Sequence, residues 1–312
     1  MLPGYILFLR TKNKNGIVNN KLLSICIPTY NRAEILEKTL NSLFSNPEFE
    51  EEKIEVIVSD NFSTDHTEKV VAKYFSVRYY KNAENLKDNN YSVVLSYATG
   101  SYIRLFNDTL SFKKGALKLM LDRIEKHLQE DCNFFYYENT PLHQNCKKML
   151  NRKDNFLSVV SFYTTWVANF GCWRRDYEII NNKDRFAALQ FAQVDWSYRI
   201  VENNKKTIIY FEELFDVAVP NKKGGYNVFD TFVNKYLSII KLEKFPFLKY
   251  EVEKYMLCRY FIFPWLVKLF IRERANYSFD TSNVVRILLK KYWYAPYIYI
   301  FLIVFLLKKI KA

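Results

Sequence analysis

Residues 22–44, LLSICIPTYNRAEILEKTLNSLF, and residues 54–65, IEVIVSDNFSTD, decide the fold of this chain. The first stretch opens with a short apolar run, rich in branched side chains, that is closed by Pro28 and is too short for a helix. Leucines and isoleucines then recur at helical spacing, and a second apolar run ends near Asp60. This order of strand, helix and strand predicts a β-α-β unit with parallel strands.

Two capping boxes mark predicted helix starts. Asn31 is followed three residues later by Glu34, and Asp65 is followed by Glu68 at the same spacing. We therefore expect one helix to begin after Asn31 and a second helix to begin after Asp65.

Polar side chains stand at the end of each of these two strands. The carboxyl ends of parallel strands lie side by side, and ligands of open α/β sheets bind there. The sequence therefore predicts one crevice shared by Thr29, Tyr30, Arg32 and Asp60.

The segments CIPTYNR and VSDNFSTD, in this order and spacing, resemble the start of family 2 glycosyltransferases, which have the GT-A fold. The resemblance implies an α/β fold with a mostly parallel sheet flanked by helices. It places Thr29 and Tyr30 against the base of a nucleotide-sugar donor, and it makes Asp60 an acceptor of hydrogen bonds from that base. The donor-binding residues implied in this way are Pro28, Thr29, Tyr30, Arg32, Asp60, Asn90 and Asp108.

The resembled family carries a carboxylate cluster after its fourth strand, which holds a divalent cation on the donor diphosphate. Here the flanking pattern is kept in GSYIRLFNDTLSFKKGAL, but the cluster is reduced to Asp108, followed by Thr109 and Leu110. Mg²⁺ or Mn²⁺ anchored by Asp108 is the predicted cofactor, because magnesium accepts one carboxylate together with phosphates and water. Arginines are the alternative source of positive charge for the diphosphate, and the candidates are Arg174, Arg175 and Arg104.

Inverting sugar transfer needs a general base for the acceptor hydroxyl. The resemblance points to an acid in the second half of the domain, and Asp195 in ALQFAQVDWSYRI is the matching candidate. An acid on an apolar patch is costly unless it is paired or functional. The alternative is that Asp195 only favours the start of its helix. Asp176 is the second choice for the base, although we expect it to pair with the two preceding arginines.

Three parts are predicted along the chain: an N-terminal extension over 1–20, a glycosyltransferase domain over 21–215 and a helical, membrane-associating region over 216–312. Within the domain, strands and helices alternate. Residues 139–155 are predicted to form a loop, and Trp166 to Trp173 a strand.

The net charge of +13 calls for an anionic partner, and most of it lies late in the chain. From Asp216 onward there are 17 Lys and Arg residues against seven Asp and Glu residues. The five cysteines show no CxxC pairing, which favours a reducing compartment. None of the three histidines is expected near a cysteine, so no zinc site is predicted.

Cations stand beside apolar and aromatic residues in segments such as KKYWYAPYIYIFLIVFLLKKIKA, near the end of the chain. This pattern is typical of segments that lie in a membrane interface. For residues 226–270 an ordinary helical core fits equally well. No stretch reaches the roughly 20 apolar residues of a spanning helix. Nucleic-acid binding is not predicted, because no recognised motif accompanies the cations.

The function predicted from these observations is inverting transfer of a sugar from a nucleotide-sugar donor to a lipid-linked or surface-glycan acceptor. The expected place is the cytosolic face of the plasma membrane, with peripheral attachment to an anionic surface. The alternative is a non-catalytic or partner-dependent GT-A-fold protein that binds nucleotide-sugars, which the reduced carboxylate cluster favours. Dinucleotide-binding dehydrogenases are excluded, because the chain has no GxGxxG.

Overall fold

The computed structural model describes residues 21–203, 205–218, 223–272 and 277–310, so the predicted extension over 1–20 lies outside the described residues. Contacts divide the described chain into two compact units. The first unit holds 21–150, 166–184, 203 and 205–218, and the second holds 151–165, 185–202, 223–272 and 277–310. The second unit thus takes two segments from inside the predicted 21–215 domain, whose end at 215 stays a prediction.

A five-stranded sheet forms the centre of the first unit, in the order β3-β2-β1-β4-β8. Four of its strands are parallel, and only β8 runs antiparallel to its neighbour. The bounds are β1 Leu23–Thr29, β2 Ile54–Asp60, β3 Val77–Lys81, β4 Tyr102–Leu105 and β8 Gly171–Trp173. The β-α-β unit and its parallel strands are as predicted.

Helices connect successive strands of this sheet, and one further helix follows β8. They are α1 Ala33–Phe44, α2 Thr67–Val71, α3 Asn90–Ser96, α4 Ala116–His127 and α6 Arg174–Glu178. The apolar stripe predicted for α1 is buried against the sheet, since Leu36, Leu40 and Leu43 share one core cluster with residues of β1 and β2. Burial of this stripe positions the loop between β1 and α1, where the candidate site begins.

Residues 139–155, predicted as a loop, contain strand β7 (Cys146–Leu150), and helix α5 (Lys153–Val160) begins shortly after it. This prediction was wrong. The strand pairs antiparallel with β9 (Lys206–Phe211), which also pairs parallel with β6 (Cys132–Tyr137). It lies at the edge of this sheet, where lysines are tolerated, so Lys147 and Lys148 hid the strand pattern. Two short strands, β5 (Leu110–Phe112) and β10 (Phe215–Val217), pair separately.

The prediction of a strand from Trp166 to Trp173 is also wrong for the first half of that segment. A 3₁₀ turn occupies Val167–Asn169, and only β8 is extended. At Gly171 an added Cβ would lie 2.9 Å from the Tyr102 ring, so the backbone of β8 approaches β4 at a point where only glycine fits.

The predicted capping by Asn31 is replaced by a cap from another segment. Asn31 has a φ of 50° and its side-chain oxygen accepts from the backbone of Thr64 at 2.8 Å. The free backbone N–H of Ala33 instead donates to Asp65 at 3.0 Å. The same carboxylate accepts from the backbone of Thr67 at 3.0 Å, so one acid serves the first turns of both α1 and α2.

The second unit is helical. Its helices are α5, α7 Ala192–Val201, α8 Leu237–Leu242, α9 Phe247–Leu257, α10 Phe263–Val267, α11 Val284–Tyr292 and α12 Pro296–Ile310, with π-helical turns before α8 and on both sides of α10. A two-residue parallel pair, β11 (Lys223–Gly224) with β12 (Tyr277–Ser278), completes it. Pro296 is the first residue of α12, as suits a residue without an N–H group.

One side of α12 packs inside the unit and the other side is open. Phe301 and Phe305 contact the rings of Phe263 and Phe270 at 5.1 and 6.2 Å. The opposite side leaves more than half of each of several apolar side chains exposed, namely Ile300, Ile303, Leu306, Leu307 and Ile310. Among the described residues, every helix is too short or too polar to cross a bilayer.

Candidate active site

The carboxyl ends of β1 and β2 lie side by side, as predicted. Thr29 and Asp60 are direct partners in the register of the two strands. The carbonyl of Thr29 then accepts from the backbone of Asn61 at 2.9 Å, which extends the pairing by one residue past the strand end. These bonds bring the loops after β1 and β2 to one edge of the sheet.

Asp108 makes three hydrogen bonds, one each with the end of β1, the loop after it and helix α1. Thr29 Oγ1 donates to Asp108 Oδ2 at 3.0 Å, and Arg32 Nη1 donates to Asp108 Oδ1 at 2.9 Å. The backbone carbonyl of Asp108 accepts from Thr39 Oγ1 at 2.8 Å. Burial raises the pKa of the Asp108 carboxyl, and the Arg32 guanidinium works against that rise. Asp108, which the resemblance placed in the donor site with Thr29 and Arg32, is thus in direct contact with both of them.

Asp60 is fully buried, and both of its oxygens carry a hydrogen bond. Oδ1 accepts from the backbone of Ser63 at 2.8 Å, and Oδ2 accepts from the Tyr79 hydroxyl at 2.6 Å. Burial and the adjacent carboxylate raise the pKa of Tyr79, so the phenol stays a donor to Asp60. The predicted contact of Asp60 with a base stays a prediction, and it requires a lone pair that these two donors leave free.

Asn90 lies inside the sheet edge rather than at its surface. Its amide nitrogen donates to the carbonyl of Ser59 at 3.0 Å, and its oxygen accepts from Ser59 Oγ at 2.6 Å and from Asn82 Nδ2 at 2.9 Å. Only 2% of Asn90 is exposed, and its hydrogen bonds to Ser59 stabilise the end of β2. Its predicted role as a donor contact stays a prediction.

Two aromatic side chains stand open to solvent beside these residues. Tyr30 is 44% exposed directly after β1, and Phe62 is 46% exposed in the loop after β2. Phe62 has a φ of 69°, a left-handed conformation that is rare for a bulky residue. Sequence reasoning missed Phe62. The available signal was one large aromatic in a turn of otherwise small polar residues.

The arginines proposed for the diphosphate differ in their surroundings. Arg174 donates to Glu178 at 2.6 Å and to the carbonyl of Gly100 at 3.2 Å. Arg175 is exposed and lies over the Trp173 ring at 5.5 Å. Arg104, the third alternative, is fully buried and donates to the carbonyl of Ala168. In this position Arg104 cannot touch a ligand at the surface.

Asp195 belongs to the second unit, where it is fully buried and paired. It accepts from Arg185 Nε at 2.8 Å and from Arg199 Nη1 at 3.3 Å. Arg185 also donates to Glu243 at 2.6 Å, and burial raises the pKa of Glu243. The cost of a buried acid is therefore met by ion pairing, and the assignment of Asp195 as base stays a prediction.

Asp176 does not pair with the arginines that precede it, contrary to the prediction. Its carboxylate accepts from Lys205 at 3.2 Å in the first unit. Arg174 pairs instead with Glu178, one turn further along α6. At this i, i+4 spacing Arg174 and Glu178 face each other along the helix, whereas Asp176, two residues on, does not lie over Arg174.

The residues around Asp108 fit a divalent cation poorly. Asp108 supplies one carboxylate, both of its oxygens already accept hydrogen bonds, and one of the two donors is itself a cation. The neighbouring Asn107 Oδ1 has no partner among the described residues, but it is closed to solvent and offers no ligand at the surface. The predicted Mg²⁺ or Mn²⁺ at Asp108 therefore stays a prediction without support from this donor set.

Within the described ranges, one group of three potential metal ligands does occur elsewhere. It consists of His127, Glu130 and Cys132, at the end of α4 and the start of β6. His127 Nδ1 lies 3.9 Å from Cys132 Sγ, which corrects the expectation that no histidine is near a cysteine. His127 Nε2 lies 2.8 Å from the Tyr210 hydroxyl, so the ring is already hydrogen-bonded on both sides.

Two solved structures with similar folds contain a bound nucleotide-sugar. S. aureus TarS, residues 1–349 in complex with UDP-GlcNAc, has a TM-score of 0.57 at 16% identity over 88% of this chain and 82% of that chain. Mannosyltransferase PcManGT from Pyrobaculum calidifontis, in complex with GDP-Man and Mn²⁺, has a TM-score of 0.51 at 16% identity over 93% and 87%. At such identities the likeness shows the fold alone, and it confirms the predicted GT-A fold.

Curated relatives match over shorter stretches. Abequosyltransferase RfbV of Salmonella typhimurium is 38% identical over 105 residues, 32% of this chain and 31% of the relative. The GalNAc(5)-diNAcBac-PP-undecaprenol beta-1,3-glucosyltransferase of Campylobacter jejuni is 34% identical over 110 residues, 32% and 34% of the two chains. The chain thus spans about a third of the length of these relatives. Residues 24–196, more than half of the chain, match Glycosyl transferase family 2, and the chain therefore belongs to that family.

Proposed function

We propose that this chain transfers a hexosyl group, with inversion, from a nucleotide-sugar to a lipid-linked or surface-glycan acceptor in lipopolysaccharide or capsule-type synthesis. The observation that carries the proposal is the meeting of Thr29, Arg32 and Asp108 at the strand ends, beside Asp60. Support for the acceptor class comes from the relatives, one of which is named for an undecaprenol-linked substrate.

The nucleotide would lie at the ends of β1 and β2. Pro28 and Thr29 are the last residues of β1, and the half-exposed ring of Tyr30, which follows them, offers a flat apolar face for a base. Asp60 would accept a hydrogen bond from an N–H group of the base. For this the nucleotide has to displace the Tyr79 hydroxyl from Asp60 Oδ2 or bind to the same oxygen beside it. Asn90 would hold the end of β2 in place from behind.

The diphosphate would lie at Arg32 and Asp108, with Arg174 and Arg175 as further cations. Departure of the nucleoside diphosphate builds negative charge, which guanidinium groups stabilise through paired hydrogen bonds. No step of this transfer is assigned to a divalent cation, because Thr29 and Arg32 already engage the Asp108 carboxylate.

Asp195 would take the proton of the acceptor hydroxyl as that oxygen attacks the anomeric carbon. For this role one lone pair of the carboxylate has to face the acceptor while Arg185 and Arg199 hold the group in place. The two arginines hold the carboxylate in one orientation and occupy it, so the role requires the acceptor to displace one of them.

The open side of α12 would rest on the cytosolic surface of an anionic membrane. Ile303, Leu306 and Ile310 offer apolar contact, and Lys308 and Lys309 offer positive charge at the same end of the helix. Nucleotide-sugars are cytosolic and lipid acceptors are in the bilayer, so peripheral attachment brings the two substrates together.

A non-catalytic relative that only binds nucleotide-sugars is the second candidate, favoured by the single carboxylate at Asp108. A thermal-shift screen of UDP-, GDP-, dTDP- and CDP-sugars identifies the donor, since a ligand of the folded state raises the Tm. Release of nucleotide from that donor, with undecaprenyl-linked acceptor present, then separates the candidates. Transfer supports the enzyme, binding without turnover supports the second candidate, and the absence of any shift contradicts both.

A further inference from the structure

We propose that Arg32, held by Asp108, takes the place of a divalent cation at the donor diphosphate, so that nucleotide binding by this chain does not depend on metal. The inference rests on the proposed function, and it concerns the same crevice. It starts from the poor fit between the residues at Asp108 and a metal ion.

Asp108 is held in a fixed position from which it binds the Arg32 side chain. Its side chain is 4% exposed, it accepts from Thr29 on one oxygen and from Arg32 on the other, and Thr39 holds its backbone carbonyl. Thr29 and Thr39 lie on either side of the turn that carries Arg32, so the carboxylate and the guanidinium are fixed by the same short segment. A buried carboxylate fixed in this way is stable only while its cation stays paired with it.

Arg32 keeps most of its hydrogen-bonding capacity for a ligand. A guanidinium has five N–H donors, and in the described structure one nitrogen of Arg32 is bonded to Asp108. The side chain is 50% exposed, so its remaining edge faces solvent at the strand ends. That edge can bind two phosphate oxygens at once, in the geometry that makes arginine a preferred diphosphate ligand.

A metal ion would have to compete with this arrangement. An ion on Asp108 Oδ1 would stand within a few ångströms of the Arg32 guanidinium, where two positive charges repel. The next two residues, Thr109 and Leu110, have no carboxylate to offer as a second ligand. Magnesium demands near-octahedral oxygen ligands, and this edge offers it a single shared group.

The experiment measures binding of UDP and GDP by calorimetry, in EDTA and again with MnCl₂. We expect the better of the two nucleotides to bind in EDTA with an affinity within about threefold of that in Mn²⁺. Arg32→Met should weaken binding about tenfold or more under both conditions, and Arg32→Lys should recover part of the loss. Arg78→Met is the matched control, because it removes another half-exposed arginine of the first unit from an acidic partner, Glu55.

Asp108→Asn distinguishes the two sources of charge. If Arg32 binds the diphosphate, this variant still binds nucleotide equally in EDTA and in Mn²⁺, because the guanidinium is present although the carboxylate no longer holds it in place. If a metal on Asp108 is required, the variant loses the binding that Mn²⁺ promotes, and electron paramagnetic resonance shows less protein-bound Mn²⁺. Should Arg32→Met not fold because Asp108 is left unpaired, the double variant with Asp108→Asn removes both charges together.

Binding that appears only with Mn²⁺, or Arg32→Met that binds as well as the wild type, overturns this inference and leaves the proposed function standing. Absence of nucleotide binding under both conditions overturns both. Equal nucleotide affinity in EDTA and in Mn²⁺, with weakened binding only in the Arg32 variants, supports the proposal that Arg32 binds the diphosphate.

Discussion

The hydroxyl of Thr29 donates to the carboxylate of Asp108 at 3.0 Å, and the bond joins the end of β1 to the loop that follows the neighbouring strand β4. Thr29 is 3% exposed, so the bond is shielded from water. A hydrogen bond to a buried charged group is costly to remove, because the carboxylate keeps its desolvation without its partner.

Thr29→Val keeps the shape of the side chain and removes only this donor. We expect the free energy of unfolding to fall by about 1–3 kcal/mol, measured by urea denaturation. Thr109→Val is the control, since Thr109 is next to Asp108 in the chain and its hydroxyl makes no hydrogen bond in the described structure. Equal effects of the two substitutions would mean that the Thr29 bond contributes nothing specific.

Phe62 combines a strained backbone with an exposed ring, so its replacement by glycine should raise thermal stability and lower nucleotide affinity. A left-handed conformation costs a residue with a side chain about 1–2 kcal/mol, which glycine does not bear. We therefore expect Phe62→Gly to raise the Tm and to weaken nucleotide binding, if the ring covers the base. Phe62→Ala, which keeps the strain and loses the ring, should weaken binding without raising the Tm. Unchanged affinity in both variants would leave the ring without a role in the donor site.

The strands, their order at the start of the chain and the crevice at their ends could be predicted because each depends on local patterns. Apolar runs closed by polar residues placed β1 and β2 within a residue or two, and parallel pairing then brought Thr29 beside Asp60. The elements that failed lacked such a pattern. In β7 lysines on an edge strand hid the alternation, and before β8 an apolar run formed a 3₁₀ turn.

Side-chain partners were harder to predict than strands, because they come from distant segments. Arg32 donates a hydrogen bond to Asp108, which lies 76 positions later in the chain, and the backbone of Ala33 donates to Asp65, 32 positions later. Local spacing cannot show such pairs, so the sequence suggested a metal for Asp108 and a local cap for α1. The i, i+4 spacing of Asp195 and Arg199 did indicate one of the ion pairs of Asp195, whereas Arg185, ten residues earlier and outside that helix, gave no such signal.

Asp195→Asn tests the proposed base. If Asp195 accepts the proton, the variant should lose transfer by about a hundredfold or more while donor affinity stays the same. Glu243→Gln is the matched control, because Glu243 shares Arg185 with Asp195 and is buried to a similar extent. If Asp195 is only a member of this ion-pair network, both variants should lose stability to a similar degree, and their activities should fall together.

Glu253 should make the stability of the protein depend on pH. Burial raises the pKa of Glu253 from 4.5 to about 8, although Ser161 and Tyr236 donate hydrogen bonds to its carboxylate at distances of 2.8 Å and more. Between these values the folded protein holds a proton that the unfolded chain has released, so stability falls as the pH rises through this window.

The measurement compares Tm values of the wild type and Glu253→Gln from pH 5 to about pH 8. The amide cannot ionise, so the variant should lose less stability over this range than the wild type does. Glu251→Gln, on the same helix, keeps Glu253 and should follow the wild type. Parallel curves for the wild type and Glu253→Gln would show that this carboxyl is ionised in the folded protein.

The open side of α12 should bind anionic membranes, and a charge placed on it should prevent this. Ile303 is 58% exposed at the centre of that side. Burying a glutamate there opposes both the apolar contact and the attraction of anionic lipid to Lys308 and Lys309. We expect the wild type to sediment with phosphatidylglycerol vesicles, less at high salt, and Ile303→Glu to stay largely in the supernatant. Phe75→Glu makes the same change at a residue that is 99% exposed in the first unit, and it should sediment like the wild type. If both variants are released equally, net charge rather than α12 holds the protein on the vesicle.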